Sequence, residues 1–316
     1  MYFIIHAPNA SVGGSLDLPR LLGKSIQRPQ FLQRALTSWD SKIAVNRISG
    51  SRMDASFVHG RNMNNQPNLG GKRVALVGVG TIGGFLAKFL AQSGAGTAQG
   101  QLLLLDNQIL EPGNVGRHFL GLPHVGKNKA RGVQEELRRI APDCEIAAFA
   151  GCALERRADL IGYDLLVDAT GERSLSDVLN KDVFDARRDG KKTASVLHVW
   201  LVGNGVAAQS LLVDGTKHAC FRCLRLEHTA TERFRLLRPD HAATLTPADC
   251  GEGAYFAYGV GAPAIAAGLA VQTCLDWVKG SPSPRFRTIR VVHDATFEVK
   301  DSDVSPREKC PVCGFA

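Results

Sequence analysis

A chain of 316 residues with 44% hydrophobic and 22% charged residues has the composition of an ordinary folded protein. It is long enough for about two domains and excludes a disordered or collagen-like chain. The net charge of +8, from 38 Lys and Arg against 30 Asp and Glu, favours anionic partners. Those cations are scattered apart from Arg187-Arg188 and Lys191-Lys192, with no arginine-rich run interleaved with aromatics, so polyphosphate is the expected anion and nucleic acid is not.

The apolar opening from Met1 to Ala7 has no basic stretch before it and no full apolar core. It does not read as a secretory signal, and a cytoplasmic protein is expected. Residues 1–65 are rich in polar and turn residues, and only Phe31 to Trp39 has helical periodicity, so this stretch reads as an extension or linker ahead of a domain over 66–316. At Lys72 the texture changes. Arg73-Val-Ala-Leu-Val77 is a continuous apolar run, the mark of a strand buried on both faces of a parallel sheet. The glycines Gly78, Gly80 and Gly83 follow at once, then a helical pattern through Phe85, Leu86, Phe89 and Leu90, then a second apolar strand, Leu102 to Leu105, ending in Asp106.

This is a βαβ unit with an acidic residue 23 positions after its third glycine. A helix over Lys129–Ile140 and strands over Glu145–Phe149 and Leu165–Val167, the last running into Asp168, continue the alternation. The fold class is therefore α/β: a Rossmann-like, doubly wound, mostly parallel sheet. The C-terminal part is strand-rich, with a hairpin from Ser195–Leu201 to Val206–Val213 across Gly203-Asn204-Gly205, and a last strand over Thr288–Val292. Gly253 to Leu275 is uncharged and long enough to span a bilayer, but its glycines, Gln272 and alanine-rich make-up point to a buried helix starting near Pro263, so no membrane partner is expected.

A glycine-rich turn opening a helix offers backbone N–H groups to phosphate. With Asp106 alone it would suit NAD, whose ribose hydroxyls a carboxylate can bind, and an NAD-dependent oxidoreductase is one rival reading. The segment that follows favours a triphosphate. Asn114, Arg117 and Lys129 bring one amide and two cations within reach of a polyphosphate, able to neutralise the charge that develops as pyrophosphate leaves.

Gly78-x-Gly80-x-x-Gly83, Asp106, Asn114-x-x-Arg117, Val125-Gly-x-x-Lys129-Ala and Asp168-Ala-Thr-Gly171 stand in an order that resembles the ubiquitin-activating-like adenylyltransferases of the ThiF/MoeB type, from about Asn62 to Ala316. The resemblance implies that the turn and Asp106 hold ATP, with Arg117 and Lys129 on its phosphates. The products would be pyrophosphate and an acyl-adenylate on the C-terminal carboxylate of a small ubiquitin-like or sulfur-carrier protein. It also implies a homodimer in which an arginine from the N-terminal segment of one subunit, Arg52 or Arg61, serves the other. Asp168 would contact Mg²⁺, although Gly171 stands where the pattern usually has a second carboxylate, with Glu172 beside it. That departure keeps a second rival open, a scaffold that retains the fold without catalysis. The stretches from Asp54 to Asn62 and from Leu69 to Arg73 look most like bacterial members in which a ubiquitin-conjugating-like domain precedes the activating domain, some tied to antiphage defence, and such a domain is a further partner.

The eight cysteines of a chain expected in the cytoplasm point to metal or catalysis. Cys220-x-x-Cys223 and Cys310-x-x-Cys313 supply the four thiolates of a closed, structural Zn²⁺ site, and their wide separation makes it a staple between the C-terminal tail and the region after Val213. By the resemblance, Cys250 accepts the activated acyl group as a thioester, although Asp249 and Glu252 oppose a low thiol pKa there. Cys144, Cys152 and Cys274 read as ordinary buried or partly buried thiols.

Overall fold

The computed structural model describes residues 2–6, 30, 44–48, 54–64, 66–226, 231–247 and 254–314. The chain divides into two compact units, Met1–Asp54 and Ala55–Ala316. In the first, strands β1 (Tyr2–His6) and β2 (Ala44–Ile48) pair antiparallel, with Tyr2 opposite Ile48. The helix expected over Phe31–Trp39 lies outside the described residues.

The second unit opens with the short helix α1 (Ala55–Gly60), which His59 ties to the Gln92 carbonyl at 2.9 Å. The elements then alternate as β3 (Arg73–Val77), α2 (Thr81–Gln92), β4 (Gln101–Leu105), α3 (Lys129–Ile140), β5 (Ile146–Phe149), α4 (Arg157–Leu160), β6 (Leu165–Asp168), α5 (Arg173–Arg188) and β7 (Ser195–Val202). After them come β8 (Ala207–Val213), β9 (Leu245–Pro247), β10 (Ala254–Phe256), α6 (Gly261–Val278) and β11 (Phe286–Arg290).

Seven strands form one sheet in the order β11-β8-β7-β6-β3-β4-β5. The five from β7 to β5 are mutually parallel, and β8 and β11 complete the edge antiparallel. The parallel strands read as unbroken apolar runs because helices cover both faces, as at Val74 to Val77, all buried. One face, with Leu76, Leu104, Val167, Leu197 and Val199, packs on α2, α3 and the alanine-rich α6. The other, with Val77, Leu105, Leu166 and Val196, packs on α5 and the cysteine-bearing segments. Helix α6 begins at Gly261, so Pro263 sits in the first turn, where no backbone donor is missed.

One expected strand moved, and one helix was not foreseen. The last strand covers Phe286–Arg290 because buried Phe286 pairs with Leu211, whereas Val291 and Val292 stay partly exposed. The sixteen-residue α5 had no expectation at all: its buried face includes the polar Ser176 and Asn180, which interrupt an apolar period. The chain crosses from the β4 side of β3 to the β6 side, and a cleft opens at the carboxyl ends of the strands at that switch, where α/β proteins place ligands.

Candidate functional site

Strand β3 ends in a turn that only glycine can make. Gly78 has φ +82°, and a Cβ there would lie 2.8 and 2.9 Å from Thr170 atoms. A Cβ on Gly83 would come within 1.9 Å of the Gly78 carbonyl, so its absence lets α2 start directly behind the turn. Gly80 differs, for nothing lies within 4 Å of a Cβ built there. No side chain caps α2, which leaves first-turn N–H groups facing that space.

Asp106 fixes the turn from one side, its carboxylate accepting the Val79 N–H at 2.7 Å and the Gln108 N–H at 2.8 Å. His118 fixes it from another. Its Nδ1 accepts the Leu120 N–H at 3.0 Å, which leaves Nε2–H to donate to the Val79 carbonyl at 2.9 Å, so the imidazole is neutral. Burial holds its pKa below the ordinary 6.5, against the pull of the Val79 bond. Asn128 caps α3 and donates to the Asp106 carbonyl, which sets Lys129 at the cleft. Lys129 is buried, its amine donates to Gln108 Oε1 at 2.7 Å, and burial pulls its pKa down while Asp106 and Glu111 push it up.

Arg117 has an unusual seat. Its guanidinium carbon lies over the rings of both Tyr255 and Tyr258, 4.8 and 4.9 Å from their centroids, and Nη1 donates to the Phe256 carbonyl at 3.3 Å. Its Nε is buried with no hydrogen-bond partner among the described residues.

Asp168, at the end of β6, is 2% exposed. Its carboxylate accepts from the Thr170 N–H at 3.1 Å, the Thr170 hydroxyl at 2.7 Å, His198 Nδ1 at 2.8 Å and the Ser176 hydroxyl, which fills the lone-pair positions of both oxygens. Burial alone would raise its pKa, but the bonds and charge from His198, with Ser176 and Thr170, outweigh it and hold the group below the usual carboxylate range. His198 stacks on Phe221 at 4.3 Å, and its Nε2 has no partner among the described residues.

One cavity of about 1110 Å³ joins these groups. Gly78, Gly80, Asp106, Asn114, Arg117, Lys129 and Asp168 all line it, and Gly83 lies behind the turn. From Asp168 it runs on past His198, Trp200 and Phe221 to Arg235 and Arg238. Cys250 and Arg52 lie outside the described residues, and Arg61 stacks on Phe57 at 5.6 Å on an exposed stretch. Sequence reasoning missed Ser176, His198, Tyr255 and Tyr258. A lone histidine in an apolar strand carries no signal of its own, and the two tyrosines meet Arg117 only through the fold.

The two CxxC pairs converge. Their four sulfurs lie within 4.8 Å of one another, with Cys220 3.8 Å from Cys223 and 3.6 Å from Cys310, and Cys223 3.3 Å from Cys313. Four thiolates at about 2.3 Å from a tetrahedral Zn²⁺ would sit roughly 3.8 Å apart, so the donor set fits that ion. Cys144 and Cys274 are buried and Cys152 is partly so; burial raises the Cys144 thiol to about 11 and the Cys274 thiol to about 12.

Comparison with known proteins places this geometry. ATP-dependent ubiquitin transferase-like protein Cap2 of Pseudomonas aeruginosa is 36% identical over 288 residues, 91% of this chain and 51% of that protein. The Escherichia coli protein of the same name is 33% identical over 66% of this chain and 36% of its own length. The chain thus spans about half of the first relative's length and about a third of the second's. A crystal structure of E. coli MccB with ATP shares the fold, with TM-score 0.57, 19% identity and coverage of 78% of this chain and 68% of that one. The ThiF family model matches residues 54–312, and the chain belongs to the ThiF family.

Proposed function

We propose that this chain is an ATP-dependent adenylyltransferase that activates the C-terminal carboxylate of a small ubiquitin-like or sulfur-carrier protein. The observation that carries the reading is the convergence of an uncapped glycine turn, Asn114, buried Lys129 and an Arg117 with an unpaired buried N–H on one cavity. Such a set of donors suits a phosphate tail. The Pseudomonas relative, named for an ATP-dependent activity, supports it.

On this reading the turn and Asp106 hold ATP, with the free N–H groups of the turn towards its phosphates and Asp106 towards its ribose. A carboxylate oxygen of the partner's C-terminus bonds to the α-phosphorus as the bond from that phosphorus to the bridging oxygen of pyrophosphate breaks. Arg117 and Lys129 take up the charge on the leaving group, and no proton has to be removed because the carboxylate is already ionised. Cys250 would then attack the acyl-adenylate as thiolate, forming a thioester and releasing AMP. The described residues offer Mg²⁺ little: Asp168 has spent its lone pairs, Gly171 has no side chain, and Glu172 accepts from Ser174 at 2.9 Å. Mg²⁺ accompanying the nucleotide would neutralise charge on the departing pyrophosphate. A homodimer exchanging Arg52 or Arg61, a structural Zn²⁺ on the four cysteines and a ubiquitin-conjugating-like partner complete the proposal.

The test is ATP–pyrophosphate exchange with candidate carrier proteins. Exchange is expected with at least one of them, and Arg117→Ala or Lys129→Ala should lower it by about 10²–10³-fold. The saturated Asp168 favours one other reading, a non-catalytic scaffold, which requires no exchange with any carrier. NAD, rather than ATP, raising the melting temperature would overturn both.

A further inference from the structure

We infer that Tyr255 and Tyr258 are positioning residues that hold the Arg117 guanidinium towards the nucleotide's phosphate tail; the inference rests on the adenylyltransferase reading. A guanidinium held by cation–π contact with two rings is fixed in place while its N–H donors remain available for hydrogen bonds to other groups. Arg117 is under-satisfied: Nη1 reaches only the Phe256 carbonyl at 3.3 Å, and Nε has no acceptor among the described residues. A buried unpaired donor of a cation is expensive unless an acceptor arrives, and the cavity wall that Arg117 shares with Gly80, Thr81, Asn114 and Lys129 is where an anion would supply one.

The bracket is itself anchored. The Tyr258 hydroxyl shares a hydrogen bond with Thr81 Oγ1 at 2.9 Å, on the first residue of α2. Asn204, in the β7–β8 turn, donates to the carbonyls of Thr244 at 2.9 Å and Ala257 at 3.2 Å. Gly205, at φ +75°, brings that turn so close that a Cβ on it would lie 2.8 Å from the Tyr258 Cβ. The rings therefore sit at a fixed distance from the glycine turn, and they hand that distance on to Arg117.

Isothermal titration of the full chain with MgATP and, separately, with adenosine tests this. Tyr255→Leu with Tyr258→Leu should weaken MgATP binding about tenfold through loss of two cation–π contacts and leave adenosine binding unchanged, while Tyr255→Phe keeps wild-type affinity. In an Arg117→Lys background, which lacks the guanidinium, Tyr255→Leu should cost nothing further. The 41% exposure of Tyr255 makes that single substitution the safe one if the double variant melts early. Unchanged or tighter MgATP binding by a folded Tyr255→Leu variant overturns the inference alone. Failure of the wild-type chain to bind MgATP removes the adenylyltransferase reading and the inference with it.

Discussion

Three glycines in one turn carry different loads, and a methyl group distinguishes them. At Gly83 it would meet the Gly78 carbonyl at 1.9 Å, so Gly83→Ala must push α2 off the turn; a loss of about 2–3 kcal/mol is expected, read as a shift in the urea midpoint. At Gly80 it would meet nothing, so Gly80→Ala should leave the midpoint unchanged; on the proposed function it would fill the space assigned to phosphate and weaken MgATP binding measured by titration. A variant pair in which Gly80→Ala unfolds the chain and Gly83→Ala does not would contradict this division. The glycines and Asp106 were legible from spacing because their roles are local. His198 was not, since its significance lies in Asp168, its neighbour across β6 and β7.

Among the elements, the β3–α2 turn is held from two sides, and one of its props titrates. His118 has its pKa held below 6.5, so the native state resists its protonation while the unfolded chain accepts it. The His118 contribution is whole above pH 6.5 and is lost as the pH falls below that value towards the lowered native pKa. The melting temperature should decline over that window, and less steeply in His118→Gln, when followed by circular dichroism across a pH series. Equal slopes would assign the turn's stability to Asp106 alone. The parallel strands were legible because burial on both faces demands continuous apolar runs, and α3 appeared over Lys129–Ile140 as expected. Helix α5 stayed hidden because it spends two buried positions on Ser176 and Asn180, which serve Asp168 and the Phe221 N–H.

Across the whole molecule, the cysteine cluster joins segments 90 residues apart, from Cys220 to Cys310, and packs within the face of the sheet that carries α5. If Zn²⁺ occupies it, chelation should release the C-terminal tail and lower the melting temperature by on the order of 10 °C, with metal content by mass spectrometry falling in step. A chain that loses its metal without a change in melting would assign the cluster no structural load. The pairing of distant CxxC motifs was legible because cysteine spacing survives any intervening fold. The seat of Arg117 was not, since Tyr255 and Tyr258 approach it only once β9, β10 and the β7–β8 turn have formed.

The pairing of Asp168 with His198 across β6 and β7 has an implication for how the sheet assembles. Side chains alternate between faces, so a slip of one residue along β6 would carry the carboxylate out of its ring of donors and into the hydrocarbon layer around Val199 and Leu197. An ionised group stranded there would be heavily penalised. The same four hydrogen bonds that occupy the Asp168 carboxylate thus act as an alignment check that disfavours offset strands.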